Sequence, residues 1–250
     1  MDFAQSERSR DYLERLRAFI VAEVTPVEQR LRAERRTPGE GRRDIDAAER
    51  WAVSPEFREL QRKARAEGLW NLFLPDAELG AGLSNIEYAP LAEEMGRSQF
   101  ASAVFNCDAP DTGNMEVLYH YGSEAQKEQW LRPLLDGEIR SAFCMTEPEV
   151  ASSDATNMAA TAVVEGDEIV LNGRKWWSTG VGHPDCKVLI FMGLTDPEAH
   201  KYQRHSMVLV PFDTPGVKSN ACSDDGFFDE PGGHGEVSFT DVRLPLDAVI

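Results

Sequence analysis

Phe143-Cys144-Met145-Thr146-Glu147-Pro148-Glu149-Val150-Ala151-Ser152-Ser153-Asp154, followed by Lys175-Trp176-Trp177-Ser178-Thr179-Gly180, marks the place where this 250-residue chain changes its pattern. Past Thr156, Ala159 to Val164, Ile169 to Leu171, Val188 to Met192 and Ser206 to Val210 form short apolar or alternating runs. Gly166-Asp167, Asn172-Gly173, Thr195-Asp196-Pro197 and Thr214-Pro215-Gly216 punctuate them, and turns at such intervals predict an antiparallel sheet. The boundary therefore falls near Ser141 to Asp154. Taken alone, neither segment says much about function. Thr-Glu-Pro is common helix-start chemistry, and an isolated Trp-Trp pair on a strand reads as core aromatics.

Upstream, the periodicity is helical. Leu13, Leu16, Phe19 and Ile20 share one face while charged residues fill the other. Ser54-Pro55 predicts an N-cap with proline in the first turn of a helix reaching about Glu67. Ser84 with Glu87, and Ser123 with Gln126, fit capping boxes. Arg35 to Arg50 reads as a charged loop.

Composition narrows the possible partners. Hydrophobic residues make up 42% of the chain, enough for a packed core, and the net charge of -17 with a pI near 4.7 disfavours nucleic acid and anionic membrane surfaces. Cys107, Cys144, Cys186 and Cys222 are dispersed, which predicts reduced thiols and a cytoplasmic location rather than a zinc site. No apolar signal core or membrane span is visible.

The two quoted segments, in this order and at this interval, resemble the flavin-contacting segments of the acyl-CoA dehydrogenases. Glu67-Gly68-Leu69-Trp70-Asn71-Leu72-Phe73-Leu74-Pro75, Ala109-Pro110-Asp111-Thr112-Gly113-Asn114-Met115-Glu116 and Pro231-Gly232-Gly233-His234-Gly235-Glu236-Val237 are similar to the branch often fused in animals to a kinase-like domain. Within the first flavin segment one residue is inserted relative to the usual Gly-Ala-Gly spacing. The resemblance implies an α+β fold: an N-terminal helical domain over 1–142 and an antiparallel β-barrel or sandwich middle domain over 143–250. The family's C-terminal helical bundle, which carries its catalytic carboxylate, is expected to lie outside this sequence, so the 250 residues alone are expected to be inactive.

The implied reaction is α,β-dehydrogenation of an acyl-CoA thioester with FAD as hydride acceptor. Electron-transfer flavoprotein is the implied electron partner, and a homodimer or homotetramer the implied assembly. By the same resemblance Phe143, Met145 and Thr146 face the flavin ring, with Thr146 near its pyrimidine edge, Trp177 covers part of it, Thr179 hydrogen-bonds near N5, Ser178 belongs to the same cofactor-binding set, and Ser153 touches both FAD and the acyl-CoA. A flat ring calls for apolar faces and a few hydroxyl or backbone groups at its polar edge, which is the composition of these segments. Strand alternation sends Trp176 to the opposite, core-facing side. Glu147 is expected to make a helix-terminus or backbone contact. Two other readings compete: a flavin oxidase or monooxygenase on the same scaffold, and a non-catalytic flavin- or acyl-CoA-binding protein.

Other motifs are weaker. Gly80-Ala81-Gly82-Leu83-Ser84 lacks the third glycine and the βαβ setting of a dinucleotide loop. The five histidines show no metal-ligand spacing. His234 stands between two readings, a functional turn or a structural use of its neighbouring glycines. Where the branch that this chain resembles usually has an apolar stretch, Ser219 to Gly226 is polar and acidic, which predicts a shifted or frayed strand there.

Overall fold

The computed structural model describes residues 4–35, 54–220 and 233–250. They form two compact units that divide between Thr112 and Gly113. Residues 36–50 of the expected loop and 221–226 of the acidic run lie outside the described residues.

The first unit is helical. In α1 (Glu7–Phe19) the Ser6 hydroxyl caps the helix by accepting from Ser9 N at 3.1 Å, and Leu13, Leu16 and Phe19 are buried on one face. A π-turn at Ile20–Val24 leads into α2 (Thr25–Arg35). The predicted cap at Ser54 starts α3 (Pro55–Ala66), with its oxygen accepting from Phe57 N at 3.2 Å. The capping box of α4 (Asn85–Met95) is reciprocal: Glu87 N donates to Ser84 Oγ at 3.4 Å, and Ser84 N donates to Glu87 Oε2 at 3.0 Å. The Glu87 carboxylate accepts from Ser84 N, Ser6 Oγ and Ser84 Oγ, and these bonds hold it below its ordinary pKa. A short α5 (Ala101–Val104) follows, and the Phe19 and Phe105 rings meet edge to face at 5.4 Å in the interior.

The second unit joins helices to a sheet. After α6 (Asp111–Tyr121), the predicted box at Ser123 and Gln126 starts α7 (Glu124–Gln126), which passes through a π-turn at Lys127–Leu131 into α8 (Arg132–Leu135). Gln126 also donates through Nε2 to Asp247 O at 2.7 Å and Val249 O at 3.1 Å, while Asn114 Nδ2 donates to Ser141 Oγ at 2.9 Å. These buried amides tie the helices to the sheet. Compactness thus changes at Gly113, whereas hydrophobic period changes only where the strands begin.

The strands are β1 (Arg140–Cys144), β2 (Thr161–Glu165), β3 (Glu168–Thr179), β4 (Cys186–Leu194), β5 (His205–Pro211), β6 (Val217–Asn220) and β7 (His234–Pro245). Their order is β1-β4-β2-β3-β7-β6, with β5 paired to β4. The β2/β3, β3/β7, β4/β5 and β6/β7 pairs are antiparallel, while β1 lies parallel to β4 and β2 meets β4 in parallel at Thr161 and Leu194. Neither parallel pair is joined by a tight turn: β1 enters from the helices, and β3 stands between β2 and β4 in the chain. Ala142, Leu171, Leu189, Phe191, Val208, Val237, Phe239 and Val242 build its core.

One expected turn is absent. Asn172-Gly173 lies inside β3, where the pairing with β7 shifts by a residue. Gly173 has φ 149°, and a Cβ there would stand 2.4 Å from Ala160 Cβ. Glycine marks a bulge and a close approach here, not a chain reversal.

Candidate functional site

The exposed end of β3 departs from simple alternation. Lys175 and Ser178 are fully buried, yet both residues between them face solvent, Trp176 at 38% exposure and Trp177 at 50%. A second register shift against β7 lies between Lys175 and Ser178, and Trp177 has φ 52°. The bulge inserts one residue, so two consecutive side chains point outward. Trp176 is therefore not a core residue, contrary to the alternation argument.

Beneath the bulge sits a buried ion pair. Lys175 Nζ donates to Glu147 Oε1 at 2.8 Å and to Met145 O at 2.9 Å, and lies 5.1 Å from the Phe191 ring centroid. Glu147 also accepts from Ala159 N at 2.8 Å and Ala160 N at 3.0 Å, while its own N–H donates to Ser152 Oγ. Burial lowers the Lys175 pKa, against the opposing pull of Glu147. Sequence reasoning found the backbone contacts of Glu147 but missed Lys175. The only signal was one basic residue among strand residues beside one acidic residue in the turn.

This pair fastens together the two segments singled out in the sequence. Trp176 N donates to Thr146 O at 3.0 Å, and Thr146 Oγ1 donates to Trp176 O at 2.9 Å. The half-buried Phe143, Met145 and Thr146 thereby come next to the exposed indoles. Thr179 Oγ1 and His234 Nδ1 are 2.8 Å apart at the last β3/β7 pair, with the His234 ring 6.0 Å from that of Trp177. Ser178 differs from its neighbours: its hydroxyl is buried beside Cys144, whose thiol burial pushes up to about 11. Ser153 is exposed on the turn after Glu147. Asp154 makes the local turn with Thr156, accepting from its N at 3.0 Å and its Oγ1 at 2.7 Å, and these bonds lower the Asp154 pKa.

The arrangement is a surface of two indoles flanked by threonine hydroxyls and main chain. Among the described residues no helix is long and apolar enough to cross a membrane; Cys107 and Cys144 are free thiols, and both they and Cys186 are buried.

Two family models match the chain: acyl-CoA dehydrogenase, N-terminal domain, over residues 6–138, and acyl-CoA dehydrogenase, middle domain, over residues 142–242. The chain belongs to the acyl-CoA dehydrogenase family, with that family's helical N-terminal domain and β-sheet middle domain. It is 50% identical to acyl-CoA dehydrogenase family member 10 of Mus musculus, over 96% of this chain and 22% of that protein. To family member 11 of Gallus gallus it is 49% identical, over 99% of this chain and 31% of the relative. A solved structure from Mycobacterium abscessus, described as an acyl-CoA dehydrogenase, superposes with a TM-score of 0.94 at 68% identity, covering 99% of this chain and 61% of that one. A glutaryl-CoA dehydrogenase from Mycobacterium smegmatis, solved in complex with FADH2, gives a TM-score of 0.72 at 26% identity, over 98% of this chain and 55% of that one. The chain thus spans about a third or less of the two named curated relatives.

Proposed function

We propose that the protein to which these residues belong is an FAD-dependent acyl-CoA dehydrogenase, removing hydrogens across the Cα–Cβ bond of an acyl-CoA thioester. The observation that carries this reading is the bulge that exposes Trp176 and Trp177 beside the Thr146 and Thr179 hydroxyls, on a strand anchored from its buried face by Lys175 and Glu147. That donor set fits an isoalloxazine ring. Indole supplies an apolar face, and hydroxyls and main chain supply polar partners for the ring edge. Trp177, Thr179, Phe143, Met145 and Thr146 would hold the ring, with Ser178 contributing through its main chain and Ser153 reaching both FAD and substrate.

A bound flavin would supply the acceptor for hydride from Cβ. The chain's own residues orient the ring and exclude water from one side of it. Removal of the α-proton requires a positioned base. Glu147 does not meet that need, because its carboxylate is buried and engaged by Lys175 and two backbone N–H groups. We assign the base to a part of the protein outside these 250 residues, along with most of the homodimer or homotetramer interface. Residues 1–250 alone are therefore expected to show no turnover. Electron-transfer flavoprotein is the proposed electron partner, and the free, buried thiols of Cys107 and Cys144 fit a cytoplasmic setting.

The test is the visible spectrum of the purified full-length protein before and after anaerobic addition of acyl-CoAs. Flavin absorbance that bleaches with a subset of acyl-CoAs is the expected result. A well-folded protein that stays colourless after incubation with FAD would overturn the assignment.

A further inference from the structure

His234 meets the candidate flavin surface, and its contact is directional. It stands opposite Thr179 at the last pair of the β3/β7 ladder, and beyond it Gly180 N donates to Gly233 O at 2.9 Å. Main-chain pairing therefore fixes both Cα positions. The 2.8 Å separation of Thr179 Oγ1 and His234 Nδ1 is a full hydrogen bond. The imidazole also lies beside the Trp177 indole, with the ring planes inclined at 60°.

A threonine hydroxyl has one proton to give and two lone pairs to offer, and its proton turns toward whichever partner accepts it. We propose that His234 is a positioning residue that sets the direction of the Thr179 hydroxyl, and through it the hydrogen-bonding character presented to the flavin edge. The inference rests on the proposed contact of Thr179 with the flavin. When Nδ1 carries no proton it accepts from Thr179, and the Thr179 oxygen turns lone pairs toward the site. That arrangement suits a ring edge bearing N–H, as reduced flavin does. When Nδ1 carries the proton, Thr179 is free to donate, which suits the bare ring nitrogen of the oxidised state. The tautomer at His234 thus biases the balance between the two redox states.

His234→Phe keeps a ring beside Trp177 and deletes the Nδ1 contact. His234→Asn retains a polar atom the same number of bonds from Cα. In the flavin-loaded full-length protein, poised against a redox dye, His234→Phe is expected to shift the ratio of reduced to oxidised flavin by about tenfold, the worth of one buried hydrogen bond. Thr179→Val should shift it comparably, the double variant no further than Thr179→Val, and His234→Asn by about twofold or less. An unchanged ratio in His234→Phe with a shifted ratio in Thr179→Val, or additive shifts in the double variant, would overturn the inference while leaving the flavin reading intact. A folded protein that takes up no FAD would sink both. Imidazole 15N shifts of the flavin-free protein read the pair without cofactor and cover the case of a misfolded Phe variant. One dominant tautomer, lost in Thr179→Val, is expected; tautomer averaging in the wild type would overturn the inference.

Discussion

At the residue scale the decisive group is Lys175, a charge with no access to solvent held by one carboxylate and one carbonyl. Removing Lys175 leaves the Glu147 carboxylate buried without its counter-charge, with only two backbone N–H groups to hold it. Lys175→Met is therefore expected to destabilise the sheet unit by roughly 3–5 kcal/mol, and the double variant with Glu147→Gln to recover part of that, measured by urea unfolding. The pH dependence has a definite sign. Because burial depresses the folded pKa of Lys175 below 10.5, the unfolded chain binds more protons between the two values, so stability gains a rising contribution as pH climbs through that window. Lys175→Met should lack this contribution; identical pH slopes would argue against a depressed lysine. None of this was legible in the sequence beyond the backbone role of Glu147. A charged residue on a strand is ordinarily solvated, and only the turn after β1 reveals a carboxylate waiting for it.

At the element scale β3 explains both the success and the failure of the sequence reading. Ser54, Ser84 and Ser123 announce their helices because an N-cap is a local event, settled by residues three apart. Bulges are settled by the neighbouring strand, which lies more than fifty residues away in β7. Asn172-Gly173 therefore passes for a turn, and Trp176 passes for a core residue. The same reasoning ranks the effects of substitution along the strand. Gly173→Ala forces a Cβ against Ala160 at a backbone angle side chains rarely adopt, and is expected to cost about 1–3 kcal/mol. Thermal or urea unfolding of this variant checks it. A neutral substitution would mean that β2 and β3 can separate at no cost.

On the scale of the whole molecule, the sheet topology and the adjacency of the quoted segments together present an aromatic surface on the second unit. Family and domain order were legible because the two motifs keep their order and spacing. The shape of the surface was not, because it depends on the bulge and on the buried pair beneath it. What separates the proposed flavin surface from ordinary strand packing is that Trp177 is half exposed, so its loss should cost binding and not folding. The most direct test compares FAD dissociation constants of the full-length wild type and Trp177→Ala, with circular dichroism and unfolding midpoints recorded for both. Weakening by about tenfold or more, the worth of one aromatic contact, with unfolding nearly unchanged, is the predicted result. Equal affinity in the two proteins would contradict the account, since the exposed indole would then have no part in holding the cofactor.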